Sequence, residues 1–256
     1  MTVERFPSVD QLEEAKRIVD DARSKGITLR LLGGMACRLH CHGPHSRHLR
    51  SYRDIDVIGL KKQHKRIEQL LGELGYMPNR RFNFLYGGQG RLQFYDPSNR
   101  RNIDILLDKF EMQHVVDLRT RLDKDEYTIP VTDLLITKLQ NVKLEKKDIL
   151  DLIAILEDHE IDGSNKEESI DLAYLSRLSS RDWGLHKSLV TGIDRVEDQL
   201  EHFGLKSSAR ESVHRKIDQI RNAAESGQKT LRWRLRAIIG ARKKWYREVE
   251  AGDGEL

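Results

Sequence analysis

Asp54 and Asp56, in the run Asp54-Ile55-Asp56-Val57-Ile58, carry the strongest chemical signal in the chain. Side chains alternate along a strand, so both carboxylates leave one face while Ile55 and Val57 turn to the core. Two neighbouring anions repel, and an all-oxygen donor set with open positions suits a hard divalent cation such as Mg²⁺ or Mn²⁺. A further acid, Asp104, sits among aliphatics in Asn102-Ile103-Asp104-Ile105-Leu106-Leu107. It fits the third ligand of a two-metal site for phosphoryl or nucleotidyl transfer. Upstream, the apolar run Leu31-Leu32 ends in Gly33-Gly34. That pattern suits a strand turning tightly into a helix, where bare backbone N–H groups can approach a phosphate.

The elements that must position these residues follow from periodicity and caps. A helix opens near Ser8, its expected cap, with acids in its first turn, and Lys25-Gly26 closes it. A strand over 27–32 follows, then a helix from 35 towards 49 that Gly43-Pro44 breaks. A second strand covers 54–60, and a helix 61–74. Two β-like runs, 82–86 and 91–95, flank Gly87-Gly88-Gln89-Gly90, and Asp96-Pro97-Ser98-Asn99 forms a turn before the strand bearing Asp104. Past about Asp125 the pattern becomes helical: 132–142 capped by Thr132, 147–156, 167–178, 186–203, 207–225 and 230–250. The expected architecture is an α/β (α+β) catalytic domain with a mixed sheet over 1–125. An all-helical domain with a basic C-terminal helix follows over 126–256.

With 256 residues the chain can bury two modest cores. No apolar run approaches the roughly 20 residues that span a bilayer, and the start lacks the apolar stretch of a signal peptide. The expectation is a cytoplasmic protein without membrane association. Cys37 and Cys41, the two cysteines, are expected to be reduced thiols. They share a short stretch with His40, His42, His45 and His48, whose spacing matches no standard Cys/His metal site. Contact with nucleotide or nucleic acid is the better expectation for these histidines.

At the glycine turn and the three acids the sequence resembles the nucleotidyltransferase superfamily that includes polymerase beta and the aminoglycoside nucleotidyltransferases. The resemblance implies a nucleotidyltransferase fold, with Gly33 and Gly34 on the nucleotide phosphates and Asp54, Asp56 and Asp104 on the metals. The interval from Gly34 to Asp54 exceeds the compact helix usual there, which implies an added loop or a longer helix.

A second constellation lies in the helical half. Lys138 ends the apolar stretch Leu134-Leu135-Ile136-Thr137-Lys138, where a lone cation would be costly to bury without an anion. A nucleoside triphosphate is such an anion, and a lysine snorkelling at a helix edge is the bland alternative. Asp148 and Asp151, three apart, share a helix face and can either orient Lys138 or pair with Lys146 and Lys147. With these residues the sequence is similar to the AbiEii family of nucleotidyltransferase toxins, half of type IV toxin–antitoxin systems. The matching positions are Gly33 and Gly34; Arg50, Ser51, Asp54 and Asp56; Leu134 and Lys138; and Asp148 and Asp151, within residues 27–178. By that resemblance Ser51 joins the nucleotide site, and an antitoxin protein is a partner.

The net charge of +4 conceals an asymmetry, because 205–247 holds 13 Lys or Arg against 3 Asp or Glu. Clustered cations suit a polyanion. Arg232, Arg234, Arg236, Arg242, Lys243 and Lys244 interleave with Trp233, Trp245 and Tyr246, a combination of phosphate binding and base stacking that suits RNA. An amphipathic helix packing Trp233, Leu235, Ile238 and Trp245 inward accounts for part of the same pattern.

The expected function is metal-dependent transfer of a nucleoside monophosphate from NTP to an acceptor, preferably RNA such as tRNA. Asp54, Asp56, Asp104 and Lys138 carry the chemistry. The alternatives are nucleotidylation of a small-molecule or protein hydroxyl, and a non-catalytic nucleotide- or RNA-binding module on the same fold.

Overall fold

A computed structural model of the chain describes residues 7–43, 54–161 and 168–248. Within them, 7–42, 54–110 and 116–130 form one compact unit, and 43, 111–115, 131–161 and 168–248 another.

The first unit is a mixed five-stranded sheet in the order β1-β2-β5-β4-β3, formed by β1 (Leu29–Leu31), β2 (Ile55–Gly59), β3 (Met77–Pro78), β4 (Arg91–Asp96) and β5 (Arg101–Leu107). The β2–β5 pair is parallel and the other pairs are antiparallel. On one face, Ile55, Val57, Ile103, Ile105, Leu92 and Phe94 lie in matched register and are buried. Each such side chain contributes about 1.5–3 kcal/mol of burial. Helices α1 (Gln11–Ser24) and α3 (His64–Glu73) bury the complementary stripes Ala15-Ile18-Val19-Ala22 and Ile67-Leu70-Leu71. The opposite face carries the acids. A separate two-stranded sheet, β6 (Lys109–Glu111) and β7 (Val115–Asp117), follows.

The second unit is built of helices α5 (Val131–Leu139), α6 (Lys146–Asp158), α7 (Leu172–Ser179), α8 (Trp183–Gln199), α9 (Ser207–Ser226) and α10 (Leu231–Ile239). Helix α9 packs on α6, α7 and α8 through Val213, Ile217, Ile220 and Ala224. No helix among the described residues is long and apolar enough to cross a membrane.

Four local expectations are corrected. The first helix begins at Gln11 because Asp10, not Ser8, accepts from Leu12 N (2.8 Å) and Glu13 N (2.9 Å). The 82–86 run is helical, not β-like: it belongs to α4 (Arg80–Tyr86), whose N-cap Asn79 accepts from Phe82 N at 3.1 Å. The alternation of Phe82, Phe84 and Tyr86 misled because Phe84 and Leu85 are exposed, so no core face exists for a strand to fill. Thr132 lies inside α5, where its hydroxyl donates to Ser169 O instead of capping. The last helix stops at Ile239, not 250, because Gly240 turns the chain at φ +59.

Candidate active site

The carboxylates are brought together by strand register. Asp56 on β2 pairs with Asp104 on β5, and Gln93 on β4 pairs with Asp104 from the other side. Adjacent strands stand about 4.8 Å apart, so the row Asp56-Asp104-Gln93 crosses three strands on the face opposite the core. Asp54 is exposed just ahead of β2. Burial first, and the charge of Asp54 in addition, push the Asp104 carboxyl above its ordinary value, while the Gln93 amide and Arg91 oppose the rise.

Gly33 opens the short helix α2 (Gly33–His40) at φ +63, in the left-handed region that disfavours a side chain. Leu32, extended before it, donates from its N–H to Asp56 O at 3.0 Å, tying the turn to the acidic strand. A Cβ on Gly33 would lie 2.5 Å from Asp56 Oδ2. The N-cap residue Leu32 offers no side-chain hydrogen bond to α2, and the first turn of α2 holds no acid. Its N–H groups and positive dipole end therefore suit an anion beside Asp56. Gly34 is the second residue of this turn.

Ser51 and Arg50 lie outside the described residues, as do His45 and His48. His40 Nε2 contacts Thr128 Oγ1 (2.7 Å) and Ile129 O (3.0 Å), bonds internal to the first unit. Cys37 and Cys41 are buried thiols with sulfurs 3.8 Å apart and no disulfide.

In the second unit Lys138 is buried, and its Nζ donates to Asp151 Oδ2 at 2.6 Å with Asp148 Oδ1 3.9 Å away. Asp148 is also the N3 residue of a capping box, accepting from Glu145 N at 3.2 Å. The bland snorkelling geometry does not apply, since the ammonium meets a fully buried carboxylate.

The basic tail divides in two. Arg232, Arg234, Arg242, Lys243 and Lys244 are exposed. Lys244 pairs with Glu248 and lies 5.0 Å from the Tyr246 ring centroid. Arg236 instead donates to Gly240 O and Lys243 O, both at 2.7 Å, and stacks 4.6 Å over Trp183. Trp233 Nε1 donates to Ser179 O (3.0 Å) and Trp245 Nε1 to Ser188 Oγ (3.1 Å), so both indoles pack inward. Leu235 and Ile238 remain exposed.

An all-oxygen set of Asp54, Asp56 and Asp104 fits a hard divalent cation in donor chemistry, and the charge imbalance at Asp104 is one that a cation would relieve. Among the described residues, no three His, Cys, Asp or Glu side chains enclose an ion as they stand. Gln93 and Asn79 escaped notice in the sequence. The signal available was parity: Gln93 alternates with buried Leu92 and Phe94 and so must share the acidic face.

Residues 6–155 match the profile of a family described as an uncharacterised nucleotidyltransferase. No protein of curated function matches the sequence. Among solved structures, the chain is similar to the lincosamide antibiotic adenylyltransferase LnuA bound to lincomycin (TM-score 0.41, 16% identity, covering 56% of this chain and 94% of that one). It is similar also to the antibiotic-resistance factor ANT(2'')-Ia (TM-score 0.40, 16% identity, 66% and 93% coverage). A third is an antigenic nucleotidyltransferase-like protein from Paracoccidioides brasiliensis (TM-score 0.41, 13% identity, 88% and 96% coverage).

Proposed function

We propose, from the premise that this chain belongs to the uncharacterised nucleotidyltransferase family matched over residues 6–155, that it transfers a nucleoside monophosphate from an NTP to a hydroxyl of RNA. The observation that carries the reading is the register of Asp56 against Asp104, with the Gly33 turn held on Asp56. Asp54, Asp56 and Asp104 would hold Mg²⁺ or Mn²⁺. The bound cation supplies charge neutralisation for the triphosphate and the departing pyrophosphate.

The protein's own residues account for the rest. The α2 N–H groups at Gly33 and Gly34 bind phosphate oxygens. Lys138, oriented by Asp151 and Asp148, is assigned to the nucleotide by the sequence resemblance alone. The acceptor oxygen attacks the α-phosphorus, and the bond from that phosphorus to the bridging oxygen breaks. Pyrophosphate leaves, and the acceptor's proton passes to the Asp104 carboxylate. RNA as acceptor is supported by the exposed cations Arg232, Arg234, Arg242 and Lys243. Arg236 contributes chiefly by bracing the tail.

A finer reading, the toxin of a toxin–antitoxin pair, rests on the sequence resemblance at Lys138, Asp148 and Asp151, which lie together in the second unit. A small DNA-binding protein encoded next to this gene would support it, and its absence would favour a solitary enzyme. Incubating the protein with α-labelled NTPs and total RNA in Mg²⁺ or Mn²⁺ should label the RNA. Label in a small-molecule fraction would move the acceptor class. No transfer by the folded protein would contradict the activity.

A further inference from the structure

Four groups on α4, β4 and β5 form a hydrogen-bonded chain with one direction. Phe82 N–H donates to Asn79 Oδ1 at 3.1 Å. Asn79 Nδ2 donates to Gln93 Oε1 at 2.7 Å, and Gln93 Nε2 donates to Asp104 Oδ1 at 3.1 Å. Amide oxygen and nitrogen are interchangeable in shape, so their orientation must come from their partners. Here the partners decide it. A backbone N–H can only donate, which fixes Oδ1 of Asn79 towards Phe82 and leaves Nδ2 facing Gln93. That donor fixes Oε1 of Gln93, and the remaining Nε2 must point at Asp104.

The backbone holds the relay in place. Asn79 N–H donates to Gln93 O at 2.9 Å, and Gln93 N–H donates to Asn83 Oδ1 at 2.7 Å. Gln93 and Asp104 are also register partners on neighbouring strands. We infer that Gln93, directed by Asn79, is a positioning residue that presents a hydrogen-bond donor to Asp104 and fixes which carboxylate oxygen remains open. The role of Asp104 rests on the nucleotidyl-transfer reading above, whereas the direction of the relay does not. Partners of this kind orient a metal-binding or catalytic carboxylate, and their loss costs about 10–100-fold in metal affinity or activity.

Asn79→Asp tests the direction of the chain. Asp is as good an N-cap as Asn, so Phe82 N–H keeps its acceptor and α4 keeps its start. The second oxygen at position 79 can only accept, so Gln93 must turn its amide round and present Oε1 to Asp104. Asn79→Ser keeps the cap and removes the directing amide without imposing the reverse. Two measurements suffice: the Gln93 side-chain amide signals by ¹⁵N NMR, and Mn²⁺ affinity by calorimetry, each with a thermal melt.

The expected result is displaced Gln93 amide signals and about tenfold or more weaker Mn²⁺ binding in Asn79→Asp. Asn79→Ser should lie between it and wild type, and all three proteins should melt alike. Unchanged amide signals in Asn79→Asp overturn the relay. Changed signals with wild-type Mn²⁺ affinity overturn the positioning role. If the wild type itself binds no Mn²⁺, the metal-dependent reading fails, and the amide signals still decide the direction of the chain.

Discussion

Asp56 and Asp104 stand opposite each other in register across the parallel pair β2–β5, although 47 positions separate them in the sequence. On the same strands Val57 and Ile105 pair in the core, so the residues that secure the sheet also fix the spacing of the acids. A one-residue slip of either strand would turn its carboxylate into the core face.

Gly33→Ala should disable the site through Asp56. The new methyl would meet Asp56 Oδ2 at 2.5 Å, and the backbone would remain at φ +63. Strain of about 1–3 kcal/mol should lower the melting temperature modestly. Displacing a carboxylate by about 1 Å should cut transfer roughly 10²-fold. Initial rates with labelled NTP check this, and full activity would reduce the glycine to a plain turn.

The Lys138–Asp151 pair separates stability from activity. Asp151→Ala removes the 2.6 Å partner of a buried ammonium, with Asp148 still 3.9 Å away, and should cost about 3–5 kcal/mol. Lys138→Met combined with Asp151→Leu should recover most of that stability, because neither charge is left alone. It should not recover transfer. Denaturant melts and transfer assays on the same preparations check both halves, and an active double variant would make the pair purely structural.

Charge removal on the tail should weaken RNA binding selectively. Neutralising Arg232 and Arg234 should lower affinity and flatten its salt dependence by about one unit of slope per lost phosphate contact. Arg236→Ala should instead lower the melting temperature, since it releases Gly240, Lys243 and the Trp183 stack. Titrating RNA at several salt concentrations decides it. An unchanged slope in Arg232/Arg234 variants would make those cations a solvated face.

Sequence reading reached the acids and the glycine turn because their signals are local: strict alternation in 54–58 and 102–107, and an apolar run ending in Gly-Gly. It missed α4, where aromatic alternation copied a strand while the helix start was written in Asn79. It overran α10 because Trp245 and Tyr246 continue an apparent helical stripe past Gly240. Parity could put Gln93 on the polar face of its strand, but its pairing with Asp104 needed the register of β4 on β5. The pairing of Lys138 with Asp151 needed the packing of α5 on α6.

Acid should destabilise the second unit through His114. Its Nε2 meets Ser188 Oγ at 2.8 Å, and the same hydroxyl accepts from Trp245 Nε1 at 3.1 Å. Burial, the largest influence, lowers the His114 pKa below its ordinary 6.5, against the attraction of Asp182. The unfolded chain therefore binds the proton more readily. The contribution is intact above about pH 6.5 and is lost as pH falls towards the lower folded value. Melts from pH 7.5 to 5.5 should show a smaller decline in His114→Gln than in wild type, and parallel declines would remove His114 as the cause.

Asp104→Asn most directly tests the chemistry assigned to the row of acids. The substitution keeps the shape but removes the ability to take the acceptor's proton, a role worth typically about 10²–10⁴-fold. With NTP and total RNA, pyrophosphate release should fall by at least about 10²-fold, while calorimetric nucleotide binding persists and the melt shows a folded protein. Release at the wild-type rate from Asp104→Asn would contradict the account.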